Sequence, residues 1–374
     1  MIKFGRPILV TQSTLPDFEE YKEKIRGIWE NHWLTNQGVL HQELQKKLEE
    51  YFDVKHVTLC VNGHSALDVM IKGMGLKGEV ITTPFTFVST IHALSMNGIK
   101  PIFCDIKETD YTIDENKIEQ LITPETTAIL GVHVYGYACN IDKLVAISKK
   151  YNLKLIFDAA HAFGVEYKEK PLVAYGDASM LSFHATKVFN SIEGGAIAYN
   201  EDKMTRKFDL IKNFGIADAE HITTFGINAK MNEFQAAMGL CNLEHIKDSI
   251  NKRRKIVELY NRKLSCVHGI NLAHVSEKVT KYNYAYYPIV INAEEYGLDR
   301  DELCEKLMEF NVYPRKYFYP LISECECYKN IQHKDDLKVA KRISSEVLTL
   351  PLYSELSLLD AEKICNIISG FGKK

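Results

Sequence analysis

Lys187 stands alone in the stretch DASMLSFHATKVFNSIEGGAIAYN, residues 177–200, between the apolar run Met180-Leu181-Ser182-Phe183 and the pair Gly194-Gly195. The run reads as a buried strand and the glycines turn the chain. A lysine amine is ordinarily solvated. Held at a strand end among apolar groups, it loses basicity and becomes a nucleophile, which calls for a carbonyl to attack.

Three further stretches carry chemically useful groups after a strand. In CVNGHSALDV, residues 60–69, Asn62-Gly63 turns the chain and a helix starts near Ser65. The unpaired N–H groups and positive dipole end of such a helix can hold a phosphate; a plain strand–helix turn capped by Ser65 is the alternative. In LKLIFDAAHAFG, residues 153–164, Asp158 closes a strand and His161 follows. Asp158 could pair with a protonated ring nitrogen, or it could cap a helix with His161 as a satisfied core histidine. In ITTPFTFVSTIHAL, residues 81–94, Phe85 and Phe87 lie past a strand end, where a flat ring can stack on a cofactor or simply fill core. Ser182 lies five residues before Lys187, and its hydroxyl could reach a phosphate. Cradle, acid, stacking ring and lysine amine together are what pyridoxal phosphate requires, and its aldehyde is the carbonyl that Lys187 would bond.

These groups need a scaffold that gathers strand ends. Apolar runs at 56–61, 79–83, 101–106, 128–134, 153–157, 178–183 and 196–199 read as strands. Amphipathic segments at 66–73, 88–97, 115–122 and 142–151 lie between several of them. Strand–helix alternation with continuous apolar strands predicts a mostly parallel seven-stranded sheet covered on both faces, with ligands at the strands' carboxyl ends. Residues 231–264 read as one or two long helices, followed by a strand at 282–291, a helix at 300–310 and closing helices at 337–349 and 358–368. The expected division is a large α/β domain over 1–245 and a smaller α+β domain over 246–374.

Composition narrows the function classes. The chain has 374 residues and a net charge of −3, which offers no electrostatic case for nucleic acid or a membrane surface. The start, Met1 to Pro7, does not read as a secretory signal, and no apolar run spans a bilayer. The nine cysteines are odd in number and scattered, and the Cys325–Cys327 pair has no second pair nearby. Reduced thiols in a cytoplasmic protein, without a metal site, are expected.

LIFDAAHAFG, LSFHATKVFNSIEGGA and FGINAKMNEFQAAMG, with WLTNQGVLHQELQKKLEEYF before them and YFYPL at 317–321 after, occur here in one order. In that combination the chain resembles the DegT/StrS family of sugar aminotransferases over nearly its whole length. The resemblance implies the type I aspartate-aminotransferase fold and a pyridoxal 5'-phosphate cofactor. Lys187 would bond the cofactor aldehyde, Asp158 would pair with the pyridine nitrogen, and His161 would lie near the 3-hydroxyl. Phe87 would stack on the ring; Gly63, His64 and Ser182 would hold the phosphate. Asn228 would reach the phosphate of a neighbouring subunit, making a homodimer with shared active sites. Arg315 and Tyr317, in YPRKYFYPL, would contact substrate. The implied reaction moves an amino group from L-glutamate to a dTDP-keto sugar, at C4 of dTDP-4-keto-6-deoxy-D-glucose. Lys187 argues against the sugar 3-dehydratases of the same family, which carry histidine there. Amination at C3 of a 3-keto sugar, and a non-catalytic regulator on the same fold, stay open as alternatives.

Overall fold

The structure, a computed structural model, describes residues 3–331 and 334–373. Met1 and Ile2, in the N-terminal stretch that does not read as a secretory signal, lie outside the described residues. The seven expected strands all form, within one or two residues of the predicted bounds except that the strand expected over 101–106 ends at Phe103, and they pair into one sheet. Its order is His56–Cys60, Gly195–Tyr199, Ala178–Ser182, Lys154–Asp158, Thr126–Val132, Glu79–Thr82 and Lys100–Phe103. Every pairing is parallel except the two made by Gly195–Tyr199, which runs antiparallel between its neighbours. The strands are almost wholly buried, so they read as continuous apolar runs. Helices Gly63–Gly73, Val88–Met96 and Ile141–Tyr151 follow strands, as the pattern predicts.

A three-stranded antiparallel sheet of Ile270–Leu272, Tyr287–Ile291 and Val347–Leu350 lies in a separate core with Leu303, Leu307 and Ile364. Phe4 and Ile8 join that second core from the other end of the chain. One helix, Glu233–Leu264, links the two cores: Ala236, Leu240 and Ile246 pack in the larger, Ile256, Tyr260 and Leu264 in the smaller. The expected boundary at 245 falls within this helix.

Three local expectations fail, each because distant partners outweigh local preference. Residues 115–122 form only a 3-10 turn, Glu119–Leu121. There Glu115 accepts from Asn140 and Lys117 is drawn to Asp105 and Asp335, which holds this segment in place without a helix. The strand expected over 282–291 begins only at Tyr287. Asn283 is tied to the carbonyls of His161 and Phe163, and Tyr284 has a left-handed φ of 53°. The helix expected over 337–349 ends at Glu346, and Val347–Leu350 pairs with Tyr287–Ile291.

His41 shows how firmly the interior is closed. It lies on helix Val39–Phe52, 1 % exposed, and among the described residues neither ring nitrogen has a partner. Burial pulls it from its ordinary 6.5 down to about 3, with the nearby Lys212 cation adding to the effect. The depressed value means its stabilising contribution is complete above 6.5 and drains as the pH falls through it, by up to ~1.4 kcal/mol per pH unit. His41→Met should therefore flatten the loss of unfolding free energy over the first pH unit below 6.5 by about 1 kcal/mol, read from denaturant unfolding at the two pH values. An unchanged slope would show that His41 protonates freely in the folded chain.

Candidate active site

The carboxyl ends of the parallel strands open into a cavity of about 370 Å³, large enough for a small organic ligand. Strand Lys154–Asp158 delivers Asp158 at its last residue, and strand Ala178–Ser182 delivers Ser182 at its last. The loop beyond Ser182 carries Lys187 into the same space. Gly63, His64, Phe87, His161, Arg315 and Tyr317 of the predicted set also line the cavity wall. Asn228 is not in that wall: it is exposed and accepts a hydrogen bond from Lys230 at 2.8 Å.

The turn at Gly63 is built for an anion. The helix starts at Gly63, two residues before the predicted start, and its cap is Asn62 rather than Ser65. Asn62 accepts the N–H of Ser65 through its side chain at 2.8 Å and the N–H of Ala66 through its carbonyl at 3.1 Å. The N–H groups of Gly63 and His64 lie at the positive end of the helix, where first-turn donors have no partner within the helix and can turn to a ligand. Glycine is required at 63 by close approach, since a Cβ there would lie 2.8 Å from the Ser182 Cβ. His64 Nδ1 lies 2.8 Å from Ser89 Oγ, which joins this helix to the next.

Asp158 is 6 % exposed, and burial alone raises its pKa. Two hydrogen bonds oppose that: Thr90 Oγ1 donates to Oδ2 at 2.7 Å and the Ala160 N–H donates to Oδ1 at 3.0 Å. No helix follows Asp158, only turns over 160–164, so the helix-cap alternative falls away. Burial pulls the Lys187 amine from 10.5 down to about 8, with Asp158 and Tyr317 opposing the fall. Its Nζ lies 5.9 Å from the centre of the Tyr286 ring. His161 is held neutral, far below its ordinary value, by burial and by the Lys187 cation. Its Nδ1 accepts the Tyr135 main-chain N–H at 3.0 Å, so the proton of the neutral ring sits on Nε2.

The two phenylalanines of 81–94 divide their roles. Phe85 is wholly buried, edge-on to Tyr111, Tyr135 and Phe318. Phe87 is 57 % exposed and presents itself to the cavity. Arg315 brings the one guanidinium among the described wall residues, 5.6 Å above the Tyr317 ring.

Sequence reasoning missed Thr86, Thr90, His184, Glu193 and Tyr286. The first two are an i, i+4 pair of hydroxyls inside a stretch read only for its aromatics. His184 and Glu193 are an acid and base flanking Lys187 within the lysine's own stretch, 3.5 Å apart in the fold. Nothing local marks Tyr286.

The donor set can hold a phosphorylated pyridine aldehyde: an anion cradle at Gly63, a buried carboxylate, a ring-sized aromatic and an amine of lowered basicity. Comparison with known proteins agrees. The sequence profile described as the DegT/DnrJ/EryC1/StrS aminotransferase family matches residues 17–369. The chain is 45% identical to a dTDP-4-amino-4,6-dideoxy-D-glucose transaminase of Shigella dysenteriae, over 94% of this chain and 95% of that protein. It is 42% identical to a protein of the same name from Escherichia coli, over 98% and 99%. Among solved structures, DesI in the presence of its TDP-sugar product superposes with a TM-score of 0.94 at 31% identity, covering 99% of this chain and 94% of that one.

Proposed function

The chain belongs to the DegT/DnrJ/EryC1/StrS aminotransferase family, and from that membership we propose that it moves the amino group of L-glutamate to C4 of dTDP-4-keto-6-deoxy-D-glucose, giving dTDP-4-amino-4,6-dideoxy-D-glucose. Enzymes of this family work with pyridoxal phosphate. The observation that carries the chemistry is the meeting of Lys187, Asp158 and the Gly63–Ser182 cradle in one cavity. The two transaminases matched over nearly full length support the sugar.

Pyridoxal phosphate, when bound, supplies an aldehyde for the donor amine and an electron sink for the carbanion at the donor Cα. The chain does the rest. The N–H groups of Gly63 and His64, with the Ser182 hydroxyl, would bind the phosphate. Asp158 would hold a proton on the pyridine nitrogen, the Nε2–H of His161 would donate to the 3-oxygen, and Phe87 would cover one face of the ring. Lys187 Nζ, with its basicity lowered to about 8, would take the proton from the donor Cα and place it on the cofactor's aldehyde carbon, and in the second half would take a proton from that carbon and deliver it to the sugar carbon. Arg315 offers a guanidinium to the carboxylate of glutamate, and Tyr317 borders the same space.

We read residues 1–245 as the part that holds the cofactor and 246–374 as the part that brings Arg315 and Tyr317. Asn228 does not cap the following helix, since Asn232 does so with a capping box to Gln235. Its exposed position supports a role across a two-fold interface, in a homodimer with shared sites. Among the described residues no helix is long and apolar enough to cross a membrane, and all nine cysteines are free. These fit a cytoplasmic enzyme on small-molecule substrates.

The direct test is incubation with L-glutamate and a panel of dTDP-linked 4-keto and 3-keto 6-deoxyhexoses, with products assigned by NMR. A 4-amino-4,6-dideoxyglucose product is expected. Amine found at C3 instead, or no acceptor consumed although glutamate is converted to 2-oxoglutarate, would overturn the assignment.

A further inference from the structure

We propose that Thr90, backed by Thr86, is the positioning residue that keeps the Asp158 carboxylate ionised and aimed at the cofactor's ring nitrogen; this rests on the proposed role of Asp158 in holding the pyridine proton. Thr90 is wholly buried and Thr86 is 2 % exposed. Thr90 sits in the first turn of helix Val88–Met96, and its hydroxyl lies 2.7 Å from Asp158 Oδ2 and 2.8 Å from Thr86 Oγ1. An ionised carboxylate only accepts, so the single Thr90 proton points at Asp158. Thr90 must then accept from Thr86, and the chain of hydroxyls runs one way, from Thr86 through Thr90 to Asp158. A relay of this kind polarises each bond in turn and strengthens the last.

The arrangement answers a difficulty. A carboxylate buried as deeply as Asp158 favours its neutral form, in which it could no longer hold a proton on a pyridine nitrogen. The groups facing it are few. Thr90 and the Ala160 N–H each bond one oxygen, the Lys187 cation attracts it, and His161 is neutral. Ala160 and Lys187 lie close in the chain to the site's own loops. Thr90 reaches Asp158 from another element, across the sheet end, and fixes the rotation of the carboxylate as well as its charge.

Thr90→Val keeps the shape and deletes the donor. Loss of one bond to a charged acceptor is expected to weaken pyridoxal phosphate binding by ~10–100-fold. In enzyme loaded with 15N-labelled pyridoxal phosphate, the nitrogen signal should move toward its unprotonated value. Thr90→Ser, which keeps the hydroxyl, should restore the signal and bring binding back to within about threefold of wild type. Thr86→Val, one bond further out, should move the signal the same way by less. Asp158→Asn is the reference. If it shifts the nitrogen signal and Thr90→Val does not, Thr90 is only a packing residue and the proposal is wrong, whatever happens to the melting temperature. If Asp158→Asn leaves the signal in place too, the reading of Asp158 fails, and the proposal fails with it.

Discussion

Lys187→Ala should lower amino transfer by ~10²–10⁴-fold or more, because in the proposed mechanism one amine both bonds the cofactor aldehyde and shuttles the proton. The structure explains why this amine is fit for both tasks. Burial brings it to about 8, so near neutral pH an appreciable fraction is unprotonated, where a solvated lysine at 10.5 would be almost wholly charged. The neighbouring Asp158 keeps the value from falling further. The variant should fold, since the amine faces the cavity rather than the packed core. Turnover is measured with glutamate and the dTDP-keto sugar, with cofactor occupancy and circular dichroism checked alongside. Turnover near wild type with occupancy intact would sink the mechanism. The Ser182, Gly63 and Asp158 contacts should still let the variant bind cofactor non-covalently, with the visible absorption of a free aldehyde.

Asp158→Asn comes next in size. A neutral amide cannot hold a proton on the ring nitrogen, and losing that electron sink should lower turnover by at least ~10²-fold. The local geometry adds a second consequence. Both Asp158 oxygens accept from donors, Thr90 on one side and the Ala160 N–H on the other. An asparagine that keeps its oxygen toward the Ala160 N–H turns its NH₂ toward Thr90, whose hydroxyl must then accept and give its own proton to Thr86, which reverses that bond and replaces a charge-assisted contact by a neutral one at a cost of ~1 kcal/mol. The variant should therefore melt lower as well as bind the cofactor more weakly. Steady-state rates and thermal unfolding separate the two effects. A rate within about threefold of wild type, which is below ~0.7 kcal/mol, would make Asp158 structural only.

How much of the fold is legible in the sequence differs by element. The seven strands read clearly because burial on both faces writes a continuous apolar run into each, with no help needed from the partner strand. Residues 231–264 read as helix because their pattern runs on with few breaks, and the structure makes of the one or two helices expected a single one, Glu233–Leu264. Residues 337–349 do not. Their helical pattern stops at Glu346, and Val347–Leu350 is a strand only because Tyr287–Ile291 lies alongside it. The turn at 115–122 and the late start of Tyr287–Ile291 have the same origin, in ion pairs and hydrogen bonds to residues far along the chain.

The sequence by itself determined the chemistry available. One lysine at a strand end, an acid closing the neighbouring strand, and a glycine turn before a helix each carry a local physical signal, and their order matched a known family of enzymes. Only the tertiary structure decided how those groups are tuned. The His161 tautomer depends on the Tyr135 N–H, 26 residues away, and the charge of Asp158 depends on a hydroxyl 68 residues away. The lowered basicity of Lys187 comes from the walls of a cavity drawn from distant parts of the chain. Desolvation and hydrogen bonding act over a few ångströms through space, while sequence records only neighbours along the chain, so residue types and the direction expected for Lys187 were readable, and the protonation of Asp158 and His161 was not.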